Sequence, residues 1–322
     1  MKFTQKPTSL LITCLFVLIT STIIVLIIVL NNYNFRHNAL QVNKPLQDSF
    51  FFKSAPISGS VKLWLGDTII YPANLDIGQY ITRGPMTLIK PSERQLKLLP
   101  SALGKPDSSY YTLTVPFFGS KYRLHFPEGT EVIMQVGSSL RFPRTFSNQE
   151  RMVELNGCAY FSVSQEDSRP FIIKTRRLTT KGMKLTAVVQ DYVNDSSAKV
   201  TVEYGTVEAT SRNSTVQILA GHSAELDSSS NFALHDAFIK NELYWTKEYF
   251  EFDGLNMKQG CKKIADAYRM HIIFQGKIRD GAFGSGLIQT DLPLKTLLKD
   301  LELPDLHFHI RMQDSTIVVI GN

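Results

Sequence analysis

Cysteine is scarce: three occur in 322 residues, and Cys14 sits inside an apolar run. That leaves Cys158 and Cys261, too few for a small disulfide-stapled scaffold; a single bridge between them stays open. The chain also lacks the short signatures of common catalytic sites. There is no H-E-x-x-H, no G-x-S-x-G and no C-x-x-C, so no zinc-protease helix, nucleophile elbow or dithiol redox loop is indicated. Basic runs are missing as well. Lys plus Arg total 35 against 29 Asp plus Glu, and the first thirty residues hold two of the lysines and no acid, which leaves a net +4 beyond them. So mild and scattered an excess is not the footprint of nucleic-acid binding.

A further absence is informative. From Leu10 to Leu30 no residue is charged, and 21 residues at about 1.5 Å each reach roughly 31 Å, the thickness of a bilayer's hydrocarbon core. No small-x-small cleavage site follows the run, so it is expected to remain as an anchor. The tetrapeptide Leu11 to Cys14 superficially resembles a lipoprotein box, but its cysteine falls within the apolar run and reads as a buried helical residue. Lys2 and Lys6 precede the run without an acid, which orients the amino terminus towards the cytoplasm. The expected layout is a tail over 1–9, a membrane helix over 10–30 and a polar tether over 31–59. Roughly 290 residues then remain beyond the anchor, enough for two or three domains with real cores. Their economy of cysteine, in a chain that is 43% hydrophobic overall, suits a bacterial periplasmic protein.

The exported part reads as mainly β. Val61, Leu63 and Leu65 alternate before a Gly66-Asp67 turn, the pattern of a hairpin opening a β entry region over 60–109. Over 110–228, short alternating segments such as "KYRLHF", "TEVIMQV", "CAYFSV" and "KVTVEY" follow one another at spacings near ten residues. They are separated by Pro127-Glu128-Gly129, Asn156-Gly157, Tyr204-Gly205 and Ala220-Gly221. This spacing predicts a sandwich or roll. In "CAYFSV", Ala159, Phe161 and Val163 belong to one face and Tyr160 and Ser162 to the other. After Trp245 the period changes. Asn256 with Gln259 forms a capping pair ahead of Met257, Cys261, Ile264, Ala265 and Tyr268 at helical spacing, and Pro293 opens a second helix bearing Leu294, Leu297, Leu298 and Leu301. With the strands between them, 243–322 reads as a small α+β domain of order βαββαββ.

Candidate chemistry is thin. Gly281 to Gly286, "GAFGSG", has the glycine content of a phosphate loop but is followed by a strand rather than a helix. Ser196 and Lys199 have S-x-x-K spacing but sit in a turn, not at a helix start. His307 and His309 alternate on a strand without further ligands. Asp67, Glu128, Glu154 and Glu203 stand in no acid/base motif. Trp245 and Tyr249 read either as core or as a partner-binding aromatic patch. No catalytic, cofactor or metal residue is therefore assigned, no partner-binding residue is identified, and no enzyme is expected.

The run Thr112 to Thr175, with "VPFFGS", "LHFPEGTEVIMQV", "VELNGCAYFSV" and "PFIIK", resembles the periplasmic domain of the FecR-like anti-sigma regulators. The segment "KNELYWTKEYFEFDGLNMKQGCKKIADAYRMHIIF" is similar to the carboxy-terminal domain of FecR-like proteins that accompany outer-membrane transporters, a domain akin to the short amino-terminal fold of secretins and TonB-dependent receptors. Together the resemblance spans about 60–322. Cys158 stands where the family usually has Glu, "KGMKLTAVVQDYVND" replaces the usual L-G-T-x-F-N-V, and nine residues replace the cytoplasmic sigma-binding segment. The resemblance implies a single-pass inner-membrane protein that relays occupancy of a TonB-dependent transporter to an extracytoplasmic sigma factor. The short tail leaves a second reading, a periplasmic binding or structural module without direct sigma control. Strand addition to an exposed sheet edge would be the natural contact.

Overall fold

The computed structural model describes residues 59–100, 109–164, 168–278, 281, 283, 288–301, 308–313 and 315–321. The expected tail, membrane helix with Cys14 and nearly all of the tether lie outside these residues. Among the described residues no helix is long and apolar enough to cross a membrane. The chain is mainly β, as its alternation requires, and helices cluster near the carboxy terminus.

The opening hairpin forms as expected: Lys62–Leu65 pairs antiparallel with Thr68–Ile70, and Gly66 turns between them at φ 66. Residues of the entry region then join the strands beyond 110. Lys62–Leu65 pairs with Tyr110–Thr114, and Gln95–Pro100 runs parallel to Tyr122–His125. Two sheets result. Leu63, Leu113, Leu140 and Leu155 lie in register across one of them. In the other, Leu96, Leu124, Val132, Phe161, Ala187 and Val202 form a continuous row. These side chains join one core, each Leu, Val and Phe among them contributing roughly 1.5–3 kcal/mol by leaving water. Ala159, Phe161 and Val163 point into that core while Tyr160 and Ser162 do not, as the period of two dictates.

Two glycine sites read as separators in the sequence are something else. Asn156-Gly157 and Tyr204-Gly205 do not end strands; each lies inside a long one, Arg151–Ser162 and Ala198–Thr210. Before Gly157 the first strand pairs with Ser139–Pro143 and Phe171–Lys174, after it with Glu131–Met134 and Leu185–Asp191. Gly205 divides the second in the same way, between His222–Leu226 on one side and Thr215–Leu219 on the other. Each long strand therefore passes from one sheet to the other at a glycine corner. Gly157 takes φ 118 and Gly205 φ 84. A Cβ on Gly157 would lie 2.4 Å from Ser138 Oγ, and one on Gly205 2.4 Å from Lys184 O, so both the turn and the close approach require glycine. The stretch Pro127-Glu128-Gly129 and the pair Ala220-Gly221 do separate strands.

The β region extends beyond 228, because Phe232–Asp236 pairs with His222–Leu226. A short helix, α1 (Ile239–Leu243), leads on to the helix α2 (Met257–Ala267) and, later, α3 (Leu294–Leu301). At α2 the Asn256 side chain accepts from Gln259 N–H while the Gln259 side chain accepts from Asn256 N–H, a reciprocal capping box. The strand order follows the expected βαββαββ, but the strands divide into two sheets. Tyr249–Phe250 pairs with Ile288–Gln289, and Thr316–Gly321 lies between His271–Gln275 and Phe308–Gln313. Ile264, Ala265, Leu294, Leu297, Ile317 and Val319 close a second core between helices and sheet.

Candidate functional site

Among the described residues the sequence-level candidates do not converge. Asp67 is exposed in its turn. Glu128 lies 3.8 Å from Arg151, Glu154 pairs with Arg141 at 3.0 Å, and Glu203 accepts from Tyr160 Oη at 3.0 Å. These are three separate structural ties. Lys199 Nζ bonds Glu242, not Ser196. Gly281 lends its carbonyl to Met257 N–H at 3.0 Å, so the start of α2 is occupied by the chain itself rather than left open for an anion; residues 282 and 284–287 lie outside the described residues. His307 does too, as does the side chain of His309. Among the described residues, no three His, Cys, Asp or Glu gather to hold a metal. Cys158 and Cys261 are both free and buried, and burial pushes each thiol up to about 12. The Cys158–Cys261 bridge does not form.

Charged and aromatic groups converge elsewhere, where the α+β domain meets the outer face of one β sheet. Period two decides which residues stand there. Ile133, Cys158, Val188 and Tyr192 point away from the main core and close a third cluster with Leu243 and Trp245. Trp245 is thus a packing residue at the seam, whereas Tyr249 is 40% exposed. From the β side, Phe118 and Val136 enter the core of the α+β domain.

Polar groups flank this apolar seam. Lys121, at the end of the loop after Val115, donates to the carbonyls of Trp245 (3.1 Å) and Lys247 and to Thr290 Oγ1 (2.6 Å). Burial, assisted by the nearby Arg123 charge, lowers its pKa from 10.5 to about 7, against the pull of Asp291 and Glu248. Gln135 Nε2 donates to Ala267 O at 3.2 Å, at the end of α2. Arg269 Nη2 lies 2.7 Å from Asp195 Oδ1, and its guanidinium is 3.5 Å from the Tyr192 ring centroid. Lys199–Glu242 and Arg94–Asp291 add two more ion pairs. A cleft of about 250 Å³ opens beside Lys121, lined also by Arg94, Arg123, Glu248, Tyr249 and Asp291.

Among the described residues this arrangement holds no nucleophile poised against a base. Its chemistry is that of a contact surface: an apolar centre, charge-assisted hydrogen bonds and a polar cleft. Sequence reasoning missed Lys121, Gln135, Tyr192, Asp195 and Arg269. They are single residues, and Arg269 and Asp195 are 74 positions apart, so no local spacing could announce them.

Residues 114–208 match the family described as FecR protein. The match includes the two glycine corners and the β side of the seam from Gln135 to Asp195. No curated protein matches the chain. Two crystal structures of an anti-sigma factor candidate from Parabacteroides distasonis, at 2.50 and 1.65 Å, share 20% and 21% identity with it. Each comparison covers 66% of this chain and 99% of that one, with a TM-score of 0.46.

Proposed function

We propose that this chain, which belongs to the FecR family through its β domain, is a signal-transduction protein of the anti-sigma type. The observation that carries the reading is the family match over 114–208, which falls on the very sheet whose outer face receives the α+β domain. In this reading residues 10–30 anchor the chain in the inner membrane with the amino terminus inside, and both domains stand in the periplasm. The α+β domain is the receiver, engaged by the signalling domain of an outer-membrane TonB-dependent transporter. The β domain conveys that engagement towards the membrane and so to an extracytoplasmic sigma factor. The reading needs no active site, because recognition by strand and side-chain contact supplies the free energy of signalling.

Affinity purification of the tagged full chain from cells growing under inducing conditions tests the reading, together with transcription from the promoter of the cognate sigma factor. A TonB-dependent transporter should co-purify, and deletion of 243–322 should abolish both its capture and the transcriptional response. Failure to enrich any transporter, with transcription indifferent to the deletion, refutes it.

A further inference from the structure

Helix α2 ends in a turn of unusual composition. Met270 N–H returns to Ala265 O at 2.8 Å and Arg269 N–H to Asp266 O at 3.2 Å, which closes the helix through a residue in the left-handed region. That seat is normally taken by glycine. Here it is Arg269, at φ 54, and among the described residues only Ser230 otherwise combines a side chain with positive φ. An L side chain is disfavoured in this conformation, and Arg269 Nε is in addition buried without a hydrogen-bond partner. Among the described residues, no partner inside the α+β domain repays either cost. The return comes from across the seam, where the guanidinium meets Asp195 at 2.7 Å and stacks on Tyr192. The Tyr192 hydroxyl is itself fixed on Val136 O at 2.8 Å, beside Gln135, which binds the end of the same helix.

We propose that Arg269 is a releasable latch that holds the α+β domain on the β domain through Asp195 and Tyr192. A residue kept at a locally unfavourable position for the sake of a contact in another domain marks a device rather than a cap. Opening the seam relaxes the turn and rehydrates Nε, so part of the cost of separation is returned, and the docked and separated states are brought close in free energy. That what releases the latch is a partner of the α+β domain rests on the signalling function proposed above. The latch itself can be tested without any partner, so the two ideas fail in different experiments.

Cys158 supplies the probe. It is 1% exposed and lies under Leu243 and Trp245 at the seam, whereas Cys261 lies in the core of the α+β domain itself. Alkylation of the full chain in a Cys14→Ser background therefore reports opening of the seam at Cys158 and unfolding of the domain at Cys261. Arg269→Gly and Asp195→Asn should each label Cys158 roughly tenfold faster, the change expected on losing one charge-assisted hydrogen bond. The Cys261 rate should not rise, since glycine suits the turn. An unchanged Cys158 rate in both variants overturns the latch. So does an equal acceleration of both thiols, which would make Arg269 a support of the domain's own fold.

Discussion

Replacing Arg151 by methionine should cost the β domain more than any neighbouring surface change. The side chain is 0% exposed at the first position of the long strand Arg151–Ser162. Its Nε and Nη2 donate to Arg169 O at 3.2 and 2.9 Å, its Nη2 also to Met183 O at 3.3 Å, and its Nη1 to Ser164 O at 3.4 Å. Glu128 Oε1 stands 3.8 Å away, and the Phe171 ring lies beneath the guanidinium at 5.4 Å. Methionine keeps most of the apolar stem but withdraws the charge and every donor. Removing one member of such a buried, charged network costs about 3–5 kcal/mol. At about 2–4 °C per kcal/mol for a domain of this size, the melting midpoint should fall by roughly 6–20 °C. Arg151→Lys retains the charge without the planar fork and should fall between the two. Thermal and urea unfolding followed by circular dichroism measure both variants. A loss below about 1 kcal/mol for Arg151→Met would refute the reasoning, because it would mean that the three carbonyls are satisfied equally well without the guanidinium.

Lys121 should give the seam a pH dependence. Its pKa is lowered from 10.5 to about 7, so its contribution is full above 10.5 and is lost as pH falls towards 7, by at most about 1.4 kcal/mol per pH unit. The unfolding midpoint of the parent should therefore fall, relative to that of Lys121→Met, as pH goes from 10 to 7, and parallel curves would exclude this role. Glycine corners and ordinary glycine turns should also respond differently. Gly157→Ala places a Cβ 2.4 Å from Ser138 Oγ and 2.7 Å from Ser138 Cα, whereas Gly221→Ala at φ 84 meets nothing within 4 Å. The first should lose roughly 1–3 kcal/mol more than the second by denaturant titration, and equal losses would mean that the strand can turn its corner without this close approach.

Much of the fold was determined by the sequence alone. The alternation of Ala159, Phe161 and Val163 against Tyr160 and Ser162 assigns faces because a pleated strand has a period of two. Asn256, Gln259 and the apolar spacing after them locate α2 because helix ends must satisfy their own N–H groups. These are local rules, and a local pattern suffices to read them. Tertiary structure alone decided that Gly157 and Gly205 are corners rather than turns, since a strand interrupted by glycine and a strand bent by glycine look alike until their pairing partners are known. It alone decided that, among the described residues, the sequence's weak motifs stay apart and that Lys121, Gln135, Tyr192, Asp195 and Arg269 come together. A seam between domains is built from residues far apart in the chain, each unremarkable where it stands. Its chemistry exists only once both cores have folded and their outer faces have met.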